Sequence, residues 1–276
     1  MDMYINHCIE IKSKHNSNVK KLFHLKKKRN RQDSKLFLIE GYREIKQALK
    51  HDFCFESVFI CRDFILKDEE RKLIESFQEK NVKIFLVDKN VFLPICYKEN
   101  PGPFIGVAYS KYLTPFQFFS EKRSKKPLYL LVESIEKPGN LGALLRNCDA
   151  VGLDGIIVCD QILDIFNPNV IRSSLGTVFS VPILLENKEN IFRLFKEKGL
   201  QIVVTTPKGT VSYLDTNFIL PTVIVMGSEK DGVSSFWLNN GDVLSRIPMK
   251  GSADSLNVAM SATVFLYEAL RQREFI

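Results

Sequence analysis

Four apolar runs in the second half of the chain constrain its fold more than any other feature. They cover residues 128–132, 155–158, 201–205 and 222–226. Such runs are typical of strands in a parallel sheet, where both faces are buried. Apolar residues at helical spacing lie between and after them, at residues 141–150, 189–198 and 258–273. This alternation predicts an α/β domain with a parallel sheet over residues 128–276.

The first half of the chain indicates a separate, smaller α/β domain over residues 12–112. We expect four strands there, at residues 36–39, 55–61, 82–87 and 104–109. Helical spacing predicts three helices, at residues 19–31, 42–50 and 69–79. Residues 113–127 contain Pro115 and a run of charged residues, so we interpret them as a linker.

The positive charge of the chain is concentrated in its first half. Residues 1–126 hold 26 Lys and Arg against 16 Asp and Glu, a net +10, whereas residues 127–276 hold 13 against 16, a net −3. Between residues 12 and 35, ten basic residues are opposed only by Asp33. A charge run is most often a solvated helix face, but an excess of this size favours contact with nucleic-acid phosphates. The candidate contacts are Lys26, Lys27, Lys28, Arg29 and Arg31.

Several classes of protein do not fit the composition. No apolar run approaches the roughly 18 residues of a membrane span. Residues 1–14 lack the apolar core of a secretory signal, so we expect a cytoplasmic protein. The six cysteines are scattered and form no C-x-x-C pair. We therefore expect free thiols and no metal site.

Common catalytic arrangements are also excluded in the second half. All four histidines lie within the first 51 residues, so a Ser-His-Asp triad cannot form there. The chain has no G-x-x-x-x-G-K-[ST] loop and no G-x-G-x-x-G after a strand. Its chemistry must therefore use asparagine, arginine, glutamate, serine and backbone groups.

Such residues occur in a first loop, after the run at residues 128–132. Asn140 is placed to be a helix N-cap, and Gly142 lets another backbone approach the first turn. Arg146 follows on the same helix. A simple cap and a surface cation are the alternative interpretations of Asn140 and Arg146.

Two further loops have the same character. Gly227 and Gly232 bracket Glu229 directly after the run at residues 222–226, where an α/β sheet binds ligands. Glu229 could equally be an ordinary exposed carboxylate. Residues 247–259 form a third loop, which contains a glycine turn and Ser255. The alternative interpretation of Ser255 is a helix N-cap with no catalytic role. We expect Leu256 in this loop to be buried and to line a partly apolar cavity.

The three loops together resemble a known family. They read N-x-G-x-x-x-R, then G-S-E-x-x-G, then I-P-M-x-G-x-x-x-S-L-N-V. In this order and spacing they resemble the SpoU (TrmH-like) class of SPOUT methyltransferases over about residues 128–273. The stretch around Arg172 resembles a family segment that faces RNA. Gly41 to Arg43, after the basic helix, resembles a ribosomal-protein-like RNA-binding module.

The resemblance implies a fold, a cofactor and partners. The fold is an α/β protein whose C-terminal SPOUT domain contains a trefoil knot, preceded by a small α/β RNA-binding domain. The chain would form a homodimer with a composite site. S-adenosylmethionine would be held by Thr205, Met226, Gly227, Ile247 and Leu256. The catalytic set would be Asn140, Arg146, Glu229, Ser255 and Asn257, and Arg43 and Arg172 would join the RNA contacts.

The resemblance also implies methylation of a ribose 2′-hydroxyl of RNA. A free guanidinium stays protonated at ordinary pH, so Arg146 either acts as base in a strongly perturbed site or stabilises the developing alkoxide. The two-domain layout favours ribosomal RNA as the substrate. Transfer RNA, an antibiotic-site ribosomal RNA loop and a non-catalytic role in RNA binding or ribosome assembly are the alternatives.

Overall fold

The chain divides into two structural units. The computed structural model describes residues 8–120, 125–160 and 163–274. The N-terminal unit comprises Met1–Lys111 and Ile165–Phe179, and the C-terminal unit comprises Tyr112–Asp164 and Ser180–Ile276. The segment Ile165–Phe179 therefore belongs to the N-terminal unit, although in the sequence it comes after two strands of the C-terminal unit.

The N-terminal unit is built on a mixed five-stranded sheet. Its elements are β1 (Ile9–Ile11), α1 (Ser17–Leu25), α2 (Lys28–Ser34), β2 (Leu36–Glu40), α3 (Tyr42–Lys50), β3 (Phe55–Ile60), α4 (Asp68–Glu79), β4 (Lys83–Val87), α5 (Lys89–Phe92) and β5 (Phe104–Tyr109). The strand order is β1-β4-β3-β5-β2. Strands β1, β4 and β3 are parallel, and β5 runs antiparallel to β3 and β2.

Aromatic packing holds the segment Ile165–Phe179 to this unit. The Phe166 ring stacks on that of Phe37, with 4.2 Å between centroids. The Phe179 ring meets the edge of Phe53 at 4.9 Å. Stacked and edge-to-face pairs at these distances add to the stabilisation that burial provides. The segment is therefore part of the core of the N-terminal unit.

The prediction of one basic helix over residues 19–31 is wrong, because the chain breaks after α1. Lys27 is extended, with φ −87° and ψ 133°. Arg31 Nη1 donates hydrogen bonds of 2.8 Å to the carbonyls of Leu25 and Lys26, and Asn30 Nδ2 donates one of 2.8 Å to the His24 carbonyl. These side chains satisfy carbonyls that a continuous helix would have paired internally.

The C-terminal unit contains a seven-stranded parallel sheet. Along the chain follow α6 (Pro115–Ser120), β6 (Leu128–Glu133), α7 (Pro138–Ala150), β7 (Gly155–Cys159), α8 (Pro168–Ser173, in the N-terminal unit), β8 (Ile183–Glu186), α9 (Lys188–Glu197), β9 (Gln201–Thr205), β10 (Val211–Ser212), β11 (Thr222–Met226), α10 (Ser235–Asn240), β12 (Val243–Arg246) and α11 (Val258–Glu274). The strand order is β10-β12-β9-β11-β6-β7-β8, with every pairing parallel.

The prediction of a parallel α/β sheet is confirmed. The four apolar runs are β6, β7, β9 and β11, which lie side by side in the middle of the sheet. Because β6 and β11 are parallel neighbours, the loops that follow them emerge at the same edge. Helices α7 and α11 pack together, and Asn147 Nδ2 donates hydrogen bonds to the Ala259 carbonyl at 2.9 Å and to Thr263 Oγ1 at 2.7 Å.

The stretch interpreted as a linker contains structure of its own. Helix α6 lies within it and buries Phe118 and Phe119 in the core of the C-terminal unit. Residues 121–124 of that stretch lie outside the described residues. Among the described helices, none is long and apolar enough to cross a membrane.

Candidate active site

Asn140 connects the three loops that the sequence singled out. Its Nδ2 donates a hydrogen bond of 2.7 Å to Glu229 Oε1, and its Oδ1 accepts one of 3.2 Å from Asn257 Nδ2. The prediction that Asn140 is a helix N-cap is wrong, because α7 begins at Pro138. Proline suits the first helical position, since its fixed φ is already helical and no hydrogen bond is lost there. The Asn140 side chain is therefore free to bind residues from the other two loops.

Glu229 holds the turn after β11 against the start of α7. Besides the Asn140 bond, its carboxylate lies 3.5 Å and 3.4 Å from the backbone nitrogens of Glu136 and Lys137, which donate to it. Burial raises the pKa of the Glu229 carboxyl, but the hydrogen bonds from Asn140 and the backbone amides outweigh burial and lower it overall. Glu229 is thus an ionised acceptor that fixes two loops together.

The glycines of the second loop form a closed turn. Ser228 and Gly232 exchange backbone hydrogen bonds of 3.0 Å and 3.2 Å. A Cβ on Gly227 would lie 2.0 Å from the Gly232 carbonyl carbon, which no side chain tolerates. Gly232 has φ +70°, a conformation that favours glycine. Both glycines are therefore required by the backbone of this loop.

Asn257, and not Ser255, occupies the cap of α11. The helix starts at Val258, and Asn257 Oδ1 accepts a 2.9 Å hydrogen bond from the Ala259 amide. Ser255 is exposed. The prediction that Leu256 is buried is also wrong, since 39% of it is exposed. Leu256 instead forms part of a cavity wall that faces solvent.

A cavity of about 620 Å³ lies at the carboxyl edge of the sheet in the C-terminal unit. All five residues expected to hold the cofactor line it: Thr205, Met226, Gly227, Ile247 and Leu256. Three of the expected catalytic residues line it as well: Glu229, Ser255 and Asn257. The volume falls in the range of small-molecule sites. The three loops therefore converge on one site.

Arg146 lies elsewhere on the surface of this unit. It is exposed on α7 and does not line the cavity. Its helix buries Leu141, Leu144 and Leu145 on another face. Within residues 8–120, 125–160 and 163–274 its guanidinium has no hydrogen bond or ion pair. A single chain thus brings together all the expected catalytic residues except Arg146.

The candidate RNA contacts differ in their availability. The residues that are exposed are Lys27, Lys28, Arg29, Arg43 and Arg172. Lys26 is half-buried, with Nζ 4.7 Å from the centre of the Tyr97 ring, and burial lowers its pKa. Arg31 is only 5% exposed and caps α1, so it is not available for phosphate contact. The prediction for Arg31 is corrected accordingly.

Glu133 is a residue of this region that the sequence analysis missed. It is 4% exposed at the end of β6, and its carboxylate accepts hydrogen bonds from the Ser234 amide at 2.8 Å and the Ser234 hydroxyl at 2.7 Å. Ser234 ends the loop that Gly227 begins, so Glu133 anchors one end and Glu229 the middle. The sequence signal that could have identified Glu133 is its position as a charged residue at the end of an otherwise apolar strand.

The fold and the site together define a class of protein. An all-parallel sheet carries a ligand-sized cavity where three loops meet at its carboxyl edge, and asparagine and glutamate side chains join those loops. In the described part of the chain, no group of His, Cys, Asp and Glu is arranged to hold a metal ion. The site is that of an α/β enzyme that binds an organic ligand at the sheet edge.

Comparisons with known proteins identify the family. Residues 127–267 match the model of the SpoU rRNA Methylase family, and residues 16–106 match that of the MRM3-like substrate binding domain. The chain belongs to the SpoU rRNA Methylase family, as the three loops indicated.

Relatives and solved structures match nearly the whole chain. The 23S rRNA (guanosine(2553)-2′-O)-methyltransferase RlmP of Bacillus subtilis is 29% identical, over 94% of this chain and 98% of its own. A Synechocystis protein named an uncharacterized tRNA/rRNA methyltransferase is 30% identical, over 95% and 94%. The crystal structure of an AdoMet-bound rRNA methyltransferase from Sinorhizobium meliloti superposes with a TM-score of 0.87 at 27% identity, over 96% and 98%.

Proposed function

We propose that this chain methylates a ribose 2′-hydroxyl of ribosomal RNA, with S-adenosylmethionine as the methyl donor. The observation that carries the proposal is the hydrogen-bonded chain of Glu229, Asn140 and Asn257 beside the cavity. The RlmP relative is named for this reaction on 23S rRNA. The name of the Synechocystis relative keeps transfer RNA as the second candidate substrate.

The cavity residues fit S-adenosylmethionine. Met226, Ile247 and Leu256 offer apolar surface for an adenine ring, and the absence of a Cβ on Gly227 lets the Gly232 backbone pack against it, which sets the shape of this wall of the cavity. Thr205 Oγ1 donates a 3.0 Å hydrogen bond to the Val225 carbonyl, which holds the ends of β9 and β11 together below the site. When bound, the cofactor supplies an activated methyl group on a sulfonium.

The protein residues would align the acceptor hydroxyl and manage its charge. The hydroxyl oxygen forms a bond to the methyl carbon as the carbon–sulfur bond breaks, and the hydroxyl proton passes to solvent. Asn257 and Ser255, at the cavity rim, would position the ribose. Arg146 would stabilise the developing alkoxide. A protonated guanidinium can do this without losing its own proton, whereas it would have to be deprotonated to act as a base.

The position of Arg146 supports a homodimer with a composite site. Its exposed guanidinium lies on α7 outside the cavity of its own chain. In a dimer, Arg146 of one copy would reach the cavity of the other. The exposed residues of α11, Met260 at 63% and Tyr267 at 49%, would provide apolar surface for such an interface.

Two further features of the family belong to the proposal. We infer a trefoil knot in the C-terminal unit because the resemblance to SPOUT methyltransferases implies one, and the meeting of the loops after β11 and β12 at one cavity is compatible with it. We also infer that the protein acts in the cytoplasm. All six cysteines are free thiols, as expected of a reducing compartment.

The test is a map of 2′-O-methyl groups in total RNA from cells with and without the gene. Loss of one ribosomal RNA site on deletion supports the proposal, and loss of a transfer RNA site selects the second candidate. If the map is unchanged and the purified protein does not bind S-adenosylmethionine in calorimetry, the non-catalytic RNA-binding role replaces the proposal.

A further inference from the structure

The break between α1 and α2 creates a groove on the N-terminal unit. Its volume is about 550 Å³, and Leu25 forms part of its floor. One wall is a face of α1 with residues at helical spacing, namely Ser17, Lys20, Lys21 and His24. The other wall is a face of α2, namely Asn30, Asp33 and Ser34. A continuous helix could not have produced two facing walls.

Three of the seven polar side chains that line the groove are already bonded within the protein. Lys21 pairs with Glu56. Asn30 Nδ2 donates to the His24 carbonyl, and Ser34 Oγ donates to the Asn30 carbonyl at 2.7 Å. These bonds fix the shape of the groove, so they are part of its frame.

Four side chains in the groove remain available to a ligand, among them the exposed Ser17 on the α1 wall. Lys20 and His24 are exposed on the α1 wall. Asp33 faces them from α2, and its side chain is 70% exposed. Its ion pair with Arg29 is long, at 3.8 Å, and Arg29 is 90% exposed. Exposed pairs of this kind contribute little, so the Asp33 carboxylate is free to accept another donor.

The charge pattern selects a ligand that carries both an anion and a hydroxyl. Lys20 suits a phosphate, whereas Asp33 repels one and can only accept hydrogen bonds. A ribose phosphate offers both groups a few ångströms apart, since its 2′-hydroxyl can donate to a carboxylate. Deoxyribose lacks that hydroxyl. The single acidic residue in the basic stretch is thereby explained.

We propose that this groove binds the sugar-phosphate backbone of RNA, with Asp33 accepting the ribose 2′-hydroxyl and so favouring RNA over DNA. The inference rests on the proposed function in taking RNA as the partner. It adds a contact on the N-terminal unit that distinguishes the two nucleic acids without reading a base.

The test compares oligouridylate with oligodeoxyuridylate of the same length, about ten nucleotides, binding to the full-length protein. We expect the wild type to prefer RNA about tenfold, the effect of one hydrogen bond to a charged group. Asp33→Ala should bring this ratio close to one without weakening DNA binding. Lys20→Ala should weaken both ligands alike. Glu79→Ala removes the same charge at the end of α4 and should leave the ratio unchanged.

Two results would overturn the inference. One is a wild-type ratio near one. The other is an Asp33→Ala protein that keeps the wild-type preference for RNA. That result would also be expected if the groove binds an acidic peptide with hydroxyl side chains and not RNA. Methyl transfer to ribosomal RNA, measured on the same preparations, reports separately on the proposed function. If the protein transfers methyl groups but shows no preference for RNA over DNA, only the groove inference is refuted. If it prefers RNA but transfers no methyl group, only the proposed enzymatic function is refuted.

Discussion

Asn140 at the start of α7 and Glu229 in the turn after β11 are joined by a 2.7 Å hydrogen bond from Nδ2 to Oε1. The two residues are far apart in sequence, but their loops follow neighbouring parallel strands. Asn257 adds the third loop by donating to the Asn140 Oδ1 atom. One amide side chain therefore holds the three motif loops in register.

Replacing Asn140 by alanine should disorganise the site without unfolding the protein. The variant loses the donor to Glu229 and the acceptor for Asn257. We expect methyl transfer to fall about 10²-fold, the scale typical of losing one preorganised polar group. Single-turnover rates at saturating cofactor provide the measurement. Asn240→Ala, which removes only a bond to the carbonyl of Phe236 within α10, is the control and should stay near the wild-type rate.

Glu229 should make the stability of the protein sensitive to acid. Its pKa is lowered in the fold because the hydrogen bonds from Asn140 and the backbone outweigh burial. A carboxyl with a lowered pKa contributes stability above its unfolded pKa, about 4.3, and this contribution is lost as the pH falls through the folded value. Wild type should therefore lose more stability than Glu229→Gln as the pH drops below about 5. Urea unfolding at several pH values tests this prediction. Equal losses of unfolding free energy in the two proteins would contradict it.

A side chain at Gly227 should block the cofactor site. A Cβ there would lie 2.0 Å from the Gly232 carbonyl carbon, so the turn must open. Gly227→Ala should abolish S-adenosylmethionine binding in calorimetry. Gly139→Ala is the matched control, because its Cβ would meet no atom within 4 Å. If circular dichroism shows a folded Gly227→Ala protein with normal affinity, the cofactor binds elsewhere.

The exposed basic residues of α2 and its N-cap should contribute salt-dependent RNA affinity. Reversing Lys27 and Lys28 to glutamate should weaken RNA binding and reduce the slope of log affinity against log salt by about 0.7 for each phosphate that the variant no longer neutralises. Cofactor binding should be unchanged. Reversal of Lys80 and Lys83, exposed elsewhere in the same unit, alters the net charge equally and serves as control. An equal effect of both pairs would show that only net charge matters.

The central strands could be predicted because their composition alone requires burial. Strands β6, β7, β9 and β11 are long apolar runs, and each was predicted. Strands β8, β10 and β12 were missed because they are short and carry partly exposed residues such as Glu186. Their place in the sheet depends on neighbours that the local sequence does not reveal.

The site could be predicted in outline but not in its bonding. The resemblance selected residues that do line one cavity, such as Thr205 and Leu256. The caps were misassigned, since whether Asn140 or Lys137 begins a helix depends on Pro138 and on bonds to distant loops. The break after α1 was missed for a similar reason, because Arg31 stabilises it from the next helix.

Methyl transfer to a ribose can be observed directly by following a labelled methyl group from S-adenosylmethionine into ribosomal RNA, which is then digested to nucleosides. Wild type should yield one 2′-O-methylnucleoside. Arg146→Ala should lose at least about 10²-fold of this product at saturating cofactor, with cofactor affinity unchanged, and Arg146→Lys should rescue poorly because lysine lacks the planar fork. Label on a base would contradict the proposed reaction, and a near wild-type rate in Arg146→Ala would remove Arg146 from its mechanism.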